Sequence, residues 1–419
     1  MQTVDAAGLS IGDDAPPRVM GVLNVSRESP YDPSVYDDPG EAARYVDEEL
    51  IGEGADIVDI GLESANKRFE VLSAEAELDR LDTAVETIAS VSGEAVFSIE
   101  TRYHEVAERA LARGFDMVND ICGFADPEMP RVCADYGVAV VKMAGPQDLE
   151  RPGAIEAIDL ADRRSPEWAE TAGYADRVYE ALLAGGLTDK TIVDPAFGGW
   201  SEAATLEDDR ETFRRLREFR AIGQPILVSI NRKNFLRDLA GRSTEAALPV
   251  SLAATSMAID RGAHVVRTHD VAETRDAALV GEAFARERVR DDDAGVEELD
   301  VTSVREARRH LDTAATVGDG RERVGTDGGG PVGVGTLGDD AGTPDVRADR
   351  TVSRMVALAG LSARARRRLA RVVEETDLVV ASAGDRVVLG GSVDSLRGLA
   401  GRVSQPPDLV RTLAPLREL

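Results

Sequence analysis

The chain has 419 residues, of which 43% are hydrophobic, enough for a sizeable core in one large domain with a smaller piece attached. It carries 77 acidic against 49 basic residues, a net charge of −28, which argues against general nucleic-acid binding because phosphate requires basic surface. No apolar run approaches the ~20 residues that span a bilayer. The acidic N-terminus also lacks a secretory signal pattern, so we expect a cytoplasmic protein.

Residues 18–286 alternate between short apolar runs, which predict strands, and amphipathic stretches, which predict helices. The eight predicted strands are Arg18–Asn24, Asp56–Gly61, Ala95–Glu100, Met117–Asn119, Val138–Met143, Thr191–Pro195, Pro225–Ile230 and His264–Arg267. The eight predicted helices are Gly40–Gly54, Ser73–Val91, His104–Gly114, Pro127–Gly137, Pro166–Gly186, Asp209–Gly223, Glu245–Gly262 and Val271–Arg286. Eight strand–helix units predict a (β/α)8 TIM barrel of class α/β. An open doubly wound sheet is the rival, weakened because no strand is followed by GxGxxG.

The composition divides the chain into four predicted regions. Residues 1–17 form an N-terminal extension, 18–290 the barrel, 291–350 a flexible acidic Gly-rich linker and 351–419 a small C-terminal α+β domain of unassigned role. The linker has too few large apolar residues to offset its chain entropy, although residues 302–314 could form one helix. The last region predicts helices at Val352–Ala359, Ser362–Glu375 and Val393–Arg402, with strands in LVVAS and RVVLG.

Polar residues stand at the ends of the predicted strands, where catalytic groups of a barrel lie. Glu100, Asn119 and Asp194 offer carboxylate and amide groups that suit the donor edge of a guanidine-like heterocycle. Arg267 and His269 suit a phosphate or pyrophosphate, Asn24 can supply an oxygen to Mg²⁺, and Lys233 is the lone lysine after strand 7. Any one of these could belong to an internal hydrogen-bond network, but polar residues at the ends of all eight strands favour a binding site. Asp120, beside Asn119, is predicted to cap the following turn.

Seven segments, in this order, resemble the dihydropteroate synthase family, especially its archaeal members. They are MGVLNVSRESPYDPSVYDD, GADIVDIGLES, FSIET, FDMVNDICGF, IVDPAFGG, PILVSINRKNFL and VVRTHDVAET, and their spacing fits the family across residues 18–286. The acid-rich, lysine-poor composition also resembles proteins of halophilic archaea. The family has a TIM barrel that joins p-aminobenzoate to 6-hydroxymethyl-7,8-dihydropterin pyrophosphate, so the resemblance implies a transferase of folate-type biosynthesis.

The resemblance also implies residue roles. Asn119, Asp194 and Lys233 would hold the pterin, with Glu100 at the place of the family's aspartate and Met143 lining the pocket. Asn24, Arg267 and His269 would hold the pyrophosphate, and Asn24 would also hold Mg²⁺, the implied cofactor. Lys233, Arg267 and His269 would carry catalysis in an SN1-like substitution. The implied partners are small-molecule substrates, with no membrane and no nucleic acid, and a second copy joined through barrel helices.

The chain departs from the family pattern mainly on the amine side. The loop after strand 2, usually S-T-R-P-G, reads Ser64-Ala65-Asn66-Lys67-Arg68, and Asn234 replaces the serine after the R-K pair. The aromatic residue of D-P-G-x-G-F is Gly199 here, with Trp200 next to it. We assign Ser64 and Asn234 to the amine side. A pterin ligand is therefore a firmer expectation than p-aminobenzoate itself, and a ribosylated aminobenzoate is an alternative nucleophile.

Two other functions stay open from the sequence. One is a pterin-binding barrel that transfers a methyl group from methyl-tetrahydrofolate to a corrinoid, although the R-x-H-D segment favours a substrate with a leaving pyrophosphate. The other is a catalytically inactive pterin-binding or scaffold relative, which the altered strand-2 loop and Glu100 keep open.

Overall fold

A computed structural model of the chain describes residues 1–26, 34–64, 71–158, 166–198, 200–201, 203–286, 288, 290–291, 296–317, 344–383 and 386–419. The described residues up to 286 form one compact unit, and those from 288 onward form a second. Across this part of the chain, no helix is both long and apolar enough to cross a membrane.

The first unit begins with a hairpin of β1 (Val4–Ala6) and β2 (Leu9–Ile11) and continues with eight strands that pair only in parallel. These are β3 Arg18–Asn24, β4 Ile57–Gly61, β5 Val96–Thr101, β6 Met117–Asp120, β7 Ala139–Met143, β8 Thr191–Asp194, β9 Leu227–Val228 and β10 Val265–Thr268. Their order is β8-β7-β6-β5-β4-β3-β10-β9, and a parallel bridge between Val193 and Ile226 closes the ring. The predicted (β/α)8 barrel is confirmed.

Helices follow the strands around the barrel. They are α1 Pro39–Tyr45, α2 Ala74–Ser90, α3 His104–Leu111, α4 Met129–Tyr136, α5 Pro166–Thr171, α6 Tyr174–Leu183, α7 Leu206–Arg214, α8 Asn234–Ala240, α9 Leu248–Asp260 and α10 Val271–Ala283. The helix predicted over Pro166–Gly186 is two helices, because Gly173 adopts an extended backbone and its N–H is accepted by Asp176 at 2.9 Å. Helix α8, directly after Lys233, was not predicted.

The hairpin closes one end of the barrel. Val4, Ala6 and Ile11 share a buried cluster with residues at the beginnings of the barrel strands, among them Ile57 and Val265. The N-terminal end of the barrel is therefore filled by apolar side chains. Polar side chains can gather only at the opposite end, where the strands finish.

The second unit consists of short strands and helices. In chain order these are β11 Arg290–Asp291, β12 Val296–Glu297, α11 Val304–Val317, α12 Pro344–Thr351, β13 Ser353–Leu358, α13 Ala363–Val373, β14 Val379–Ala383, β15 Arg386–Ser392, α14 Val393–Arg402 and α15 Pro407–Leu413. An antiparallel sheet of order β13-β15-β14 packs Leu358, Val387 and Leu389 into the unit's core.

Part of this unit differs from expectation. The predicted helix over Val352–Ala359 is wrong: the segment is strand β13, which pairs with β15 from Ser353–Ser392 to Leu358–Val387. Helices α11 and α12 occupy parts of the segment predicted as a linker, and Ala307 and Ala348 of these helices share a buried cluster with Val352 and Val393. Residues 318–343, the rest of that segment, lie outside the described residues.

Candidate active site at the barrel mouth

A hydrogen-bonded network of charged and amide side chains lies inside the C-terminal end of the barrel. Arg267 of β10 donates from Nε to Oδ2 of Asp59 at 2.8 Å and from Nη2 to Oε2 of Glu100 at 2.6 Å. Asn119 of β6 donates from Nδ2 to the same Asp59 oxygen at 2.8 Å. The structure therefore brings together three residues of the predicted site. Glu100 contacts Arg267 directly, and Asn119 is joined to Arg267 through Asp59, which was not predicted.

Asp59 is the residue that sequence reasoning missed. It is completely buried on β4, and within the described part of the chain its second oxygen, Oδ1, has no hydrogen-bond partner. A buried carboxylate is costly unless it is paired, so an aspartate inside the apolar strand IVDIG was itself a signal of a buried partner. The sequence does not reveal which residue that partner is, because Arg267 lies 208 residues away from Asp59 along the chain.

Glu100 and Arg267 form an ion pair in which the side chains are only 12% and 17% exposed, and burial and charge act in opposite directions on each of them. Burial raises the pKa of Glu100 to about 7, although Arg267 acts to lower it. Burial works against the charge of Arg267, but Glu100 and Asp59 outweigh it and raise the pKa of the guanidinium above its ordinary value. Arg267 is thus a permanent cation at the centre of the mouth.

Lys233 lies between an aromatic ring and the chain after β8. Its Nζ is 5.5 Å from the centre of the Trp200 ring, and no hydrogen bond of Nζ occurs within the described residues. A Cβ on Gly198 would lie 3.0 Å from Nζ, so glycine permits this approach. Burial and Arg267 lower the pKa of Lys233 more than Asp194, Asp209 and Glu100 raise it.

Asp194 ends β8 beside Met143 of β7, and both residues are buried. The Asp194 carboxylate accepts the backbone N–H of Ala196 at 2.8 Å through Oδ1. Burial raises the pKa of Asp194 to about 6, against the lowering influence of that N–H and of Lys233. Asp194 and Met143 together provide a hydrogen-bond acceptor next to an apolar wall.

Asp120 accepts hydrogen bonds from the backbone N–H groups of Cys122 and Phe124, which confirms its predicted capping role.

His269 follows β10. Burial and the nearby Arg267 lower the pKa of its imidazole to about 3, with Lys233 and Arg232 adding to the effect and Asp270 opposing it. The ring is therefore neutral at neutral pH. A neutral imidazole can form hydrogen bonds but carries no charge.

Three oxygen atoms gather around Gly61, at the end of β4. A Cβ at that position would lie 3.2 Å from Asn24 Oδ1, 3.6 Å from Glu100 Oε1 and 3.7 Å from the Glu63 carbonyl oxygen. Asn24 is buried and its Nδ2 donates to Ser34 Oγ at 3.0 Å, which orients the amide. Carbonyl and carboxylate oxygens are the ligands of hard cations, so this set fits Mg²⁺.

The structure describes the proposed amine side only in part. Ser64 is buried, but residues 65–70 after it lie outside the described part of the chain, so the altered strand-2 loop is described only at its first residue. Asn234 is exposed at the start of α8 and accepts a hydrogen bond from Arg237. Gly199 is outside the described residues, and Trp200 is half-buried.

Comparison with known proteins identifies the same region of the chain. The model of the family "Pterin binding enzyme" matches residues 20–269. A dihydropteroate synthase of Neisseria meningitidis is 32% identical over 287 residues, which are 67% of this chain and 96% of that protein. A probable bifunctional folylpolyglutamate synthase/dihydropteroate synthase of Halobacterium salinarum is 35% identical over 265 residues, 63% of this chain but only 31% of that longer protein.

Solved structures agree. The dihydropteroate synthase of Thermus thermophilus in complex with 4-aminobenzoate is 30% identical, with a TM-score of 0.52 over 68% of this chain and 100% of that one. The Coxiella burnetii dihydropteroate synthase in complex with pteroic acid is 28% identical, with a TM-score of 0.53 over 67% of this chain and 98% of that one. This chain belongs to the family of pterin-binding enzymes.

Proposed function

We propose that this protein is a dihydropteroate synthase. It condenses 6-hydroxymethyl-7,8-dihydropterin pyrophosphate with p-aminobenzoate, or with a ribosylated aminobenzoate, and releases pyrophosphate. The observation that carries the proposal is the buried network of Asp59, Glu100, Asn119 and Arg267 at the barrel mouth, inside the region that matches the pterin-binding family. A methyl-transferring barrel is not favoured, because the relatives and solved structures named above are dihydropteroate synthases.

The pterin is held by acceptors and by one lysine. Asp194 and Asn119 lie at the ends of β8 and β6, where a carboxylate and an amide can pair with the donor edge of the ring. Met143 supplies the apolar wall. The Nζ of Lys233 lies 5.5 Å from the centre of the Trp200 ring, makes no hydrogen bond to the described residues and can donate to an acceptor on the ligand. Glu100 acts mainly through Arg267, because its Oε2 is committed to that guanidinium.

The pyrophosphate is held by Arg267, His269 and Asn24. Asp59 and Glu100 occupy Nε and Nη2 of Arg267, whereas Nη1 has no hydrogen-bond partner within the described residues and can bind an oxyanion. The neutral His269 adds a hydrogen bond. Asn24 Oδ1 and Glu100 Oε1 would hold Mg²⁺, which supplies positive charge to the pyrophosphate oxygens when bound.

The reaction then follows from electrostatics and positioning. As the bond between the methylene carbon and the pyrophosphate oxygen breaks, negative charge grows on the leaving group, and Arg267 stabilises it. Positive charge grows on the pterin. The negatively charged carboxylates of Asp59 and Asp194 stabilise that positive charge. The amine nitrogen forms a bond to the methylene carbon, and its surplus proton passes to the released pyrophosphate or to water. No covalent bond to the protein is needed, so placement of the two reactants governs the rate.

The test is amine-dependent release of pyrophosphate by the full chain in molar KCl with Mg²⁺ and the dihydropterin pyrophosphate. Each amine is supplied separately, and mass spectrometry identifies the product. Lys233→Ala should abolish the release, whereas Lys190→Ala should not, because Lys190 is a half-buried lysine whose Nζ faces Asp5 Oδ1 at 3.7 Å. A folded protein that binds the pterin but releases nothing with either amine would be a binding or scaffold relative.

We also propose a homodimer formed through α9 and α10, in the cytosol. Four large apolar side chains on or just after these helices are exposed: Met257, Leu279, Val280 and Phe284. Both cysteines are free and buried, as expected in a reducing compartment. Light scattering should give twice the chain mass, and Phe284→Ser should shift the mass towards that of one chain. A wild-type mass of 44.7 kDa would contradict the dimer.

A further inference from the structure

Arg232, the residue before Lys233, has an unusual backbone. Its φ is +52°, in the left-handed region that residues other than glycine seldom adopt. Its backbone N–H donates to Ser251 Oγ at 2.8 Å. A conformation of this kind persists only where the surroundings enforce it, and such positions cluster at functional sites.

The side chain of Arg232 accounts for that enforcement. Nε and Nη2 donate to the two carboxylate oxygens of Asp270 at 2.8 and 2.7 Å, and Nη1 donates to the carbonyl oxygens of Thr244 and Glu245, both at 2.8 Å. The Arg232 and Asp270 side chains are only 13% and 12% exposed. A bidentate pair fixes orientation as well as distance.

Asp270 is itself held on two further sides. Asn231 donates from Nδ2 to Asp270 Oδ2 at 2.8 Å, and the backbone N–H of Asp270 donates to Thr268 Oγ1 at 3.0 Å. Burial raises the pKa of Asp270, but the hydrogen bonds from Arg232 and Asn231 outweigh it and keep the pKa below the ordinary value. The carboxylate is therefore charged at neutral pH.

We propose that Asn231, Arg232 and Asp270 form a staple that positions Lys233 and His269 relative to each other. Arg232 directly precedes Lys233, and Asp270 directly follows His269, so the staple fixes the turn after β9 to the turn after β10. The inference rests on the proposed function, in which Lys233 binds the pterin and His269 the pyrophosphate. The three staple residues are positioning residues, because each acts through its neighbour rather than on the substrate.

The first test is a double-mutant cycle between Asp270→Asn and Lys233→Ala, read as affinity for 6-hydroxymethyl-7,8-dihydropterin, with kcat/KM measured for Asp270→Asn in the otherwise wild-type chain. Misplacing a reacting group by a small distance can cost on the order of 10²-fold in rate, and we expect this loss from Asp270→Asn alone. In the Lys233→Ala background, Asp270→Asn should weaken pterin affinity by less than about threefold, because the residue it positions is gone. Equal losses in both backgrounds, or no loss in either, would overturn the staple.

The second test separates backbone from side chain at position 232. Both Arg232→Gly and Arg232→Ala remove the guanidinium, but only glycine adopts the left-handed conformation without steric cost. We expect both variants to lose kcat/KM alike. Arg232→Lys should not restore it, because an ammonium cannot pair bidentately with Asp270. Wild-type kcat/KM in Arg232→Gly would mean that the backbone alone positions Lys233, and the staple would be wrong.

A surface ion pair provides the control. Arg131 is exposed on α4 and pairs with Glu128 and Asp135, both at 2.7 Å, so Arg131→Ala should leave kcat/KM within about twofold of wild type. If wild-type protein releases no pyrophosphate, the proposed function fails, and the staple is still decided by the pterin affinities. If Asp270→Asn does not fold, the comparison of the Arg232 variants decides instead.

Discussion

The two halves of the barrel mouth differ in how their side chains are held. On the proposed pterin and pyrophosphate side, Asp59, Glu100, Asn119 and Arg267 hold one another in one hydrogen-bonded network. On the proposed amine side, Ser64 is buried, whereas Asn234 is exposed and accepts a hydrogen bond from Arg237. The departures from the family pattern also cluster on the amine side. A preorganised network leaves little freedom for substitution, whereas groups held by fewer contacts can change with the nucleophile.

We call the half of the mouth that contains the network of Asp59, Glu100, Asn119 and Arg267 the fixed side. Removing Arg267 should reduce activity and stability the most, because it is the cation of that side. Arg267→Gln should lower kcat by about 10²–10³-fold, as loss of an anion-stabilising donor does. It should also lower the free energy of unfolding by about 3–5 kcal/mol, since Asp59 and Glu100 lose their buried partner. Steady-state kinetics and urea denaturation measure the two effects. Retention of turnover by a folded variant would place the leaving-group contact elsewhere.

Asp59→Asn should have the next largest effect. It keeps an acceptor for Asn119 and Arg267 but removes the charge that orients both, so we expect a loss of about 10²-fold in kcat/KM. The matched control is Asp82→Asn, an exposed aspartate paired with Arg113, which should behave like wild type. Equal activities for the two variants would show that the network is only structural.

The pKa of Glu100 predicts opposite pH trends for activity and stability. With a pKa of about 7, Glu100 becomes protonated as the pH falls and no longer forms an ion pair with Arg267. We therefore expect kcat/KM to drop about tenfold from pH 8 to pH 6. Because this pKa is raised on folding, its contribution to stability is full below the ordinary value of 4.5 and is lost as the pH rises through about 7.

Glu100→Gln isolates both trends. In this variant, kcat/KM should no longer change with pH near pH 7. The difference between the unfolding free energies of wild type and variant should change with pH between 4.5 and 7. Burial also raises the pKa of Glu77, to about 8, and the charge of Glu100 adds to that rise. Subtracting the two stability curves therefore removes only the part of the Glu77 contribution that does not depend on Glu100. An unchanged rate limb in the variant would assign that limb to another group.

The smallest effect is expected on the amine side. Asn234→Ser introduces the family's residue at an exposed position, so KM for the amine should change by no more than about threefold, in the range of surface substitutions. KM for the dihydropterin pyrophosphate should not change. A large change in the latter would mean that Asn234 belongs to the fixed side.

The sequence predicted the barrel and the strand ends because both follow from local pattern. Apolar runs such as that of β4 identify strands, and Glu100, Asn119 and Arg267 stand where those strands finish. The pairing of side chains was not predictable in this way. Arg267 bonds Asp59 across the barrel interior, a contact set by the closing of the ring rather than by spacing in the chain.

Two local errors have the same origin. Strand β13 was predicted as a helix because six residues carry a weak pattern, and its pairing with β15 decides its conformation. The left-handed turn at Arg232 gives no sequence signal at all, since arginine does not favour that backbone, and it occurs together with the bidentate contact to Asp270. Tertiary contacts override local preference at both places.

The most direct test is calorimetric titration of 6-hydroxymethyl-7,8-dihydropterin into the full chain with no amine present. The fixed side should bind the pterin on its own, more than about tenfold more weakly in Asp194→Asn, where a charged acceptor is lost, and unchanged in Asn234→Ser. Absence of binding by wild type, or equal weakening in the two variants, would contradict the division of the mouth into a fixed pterin side and a variable amine side.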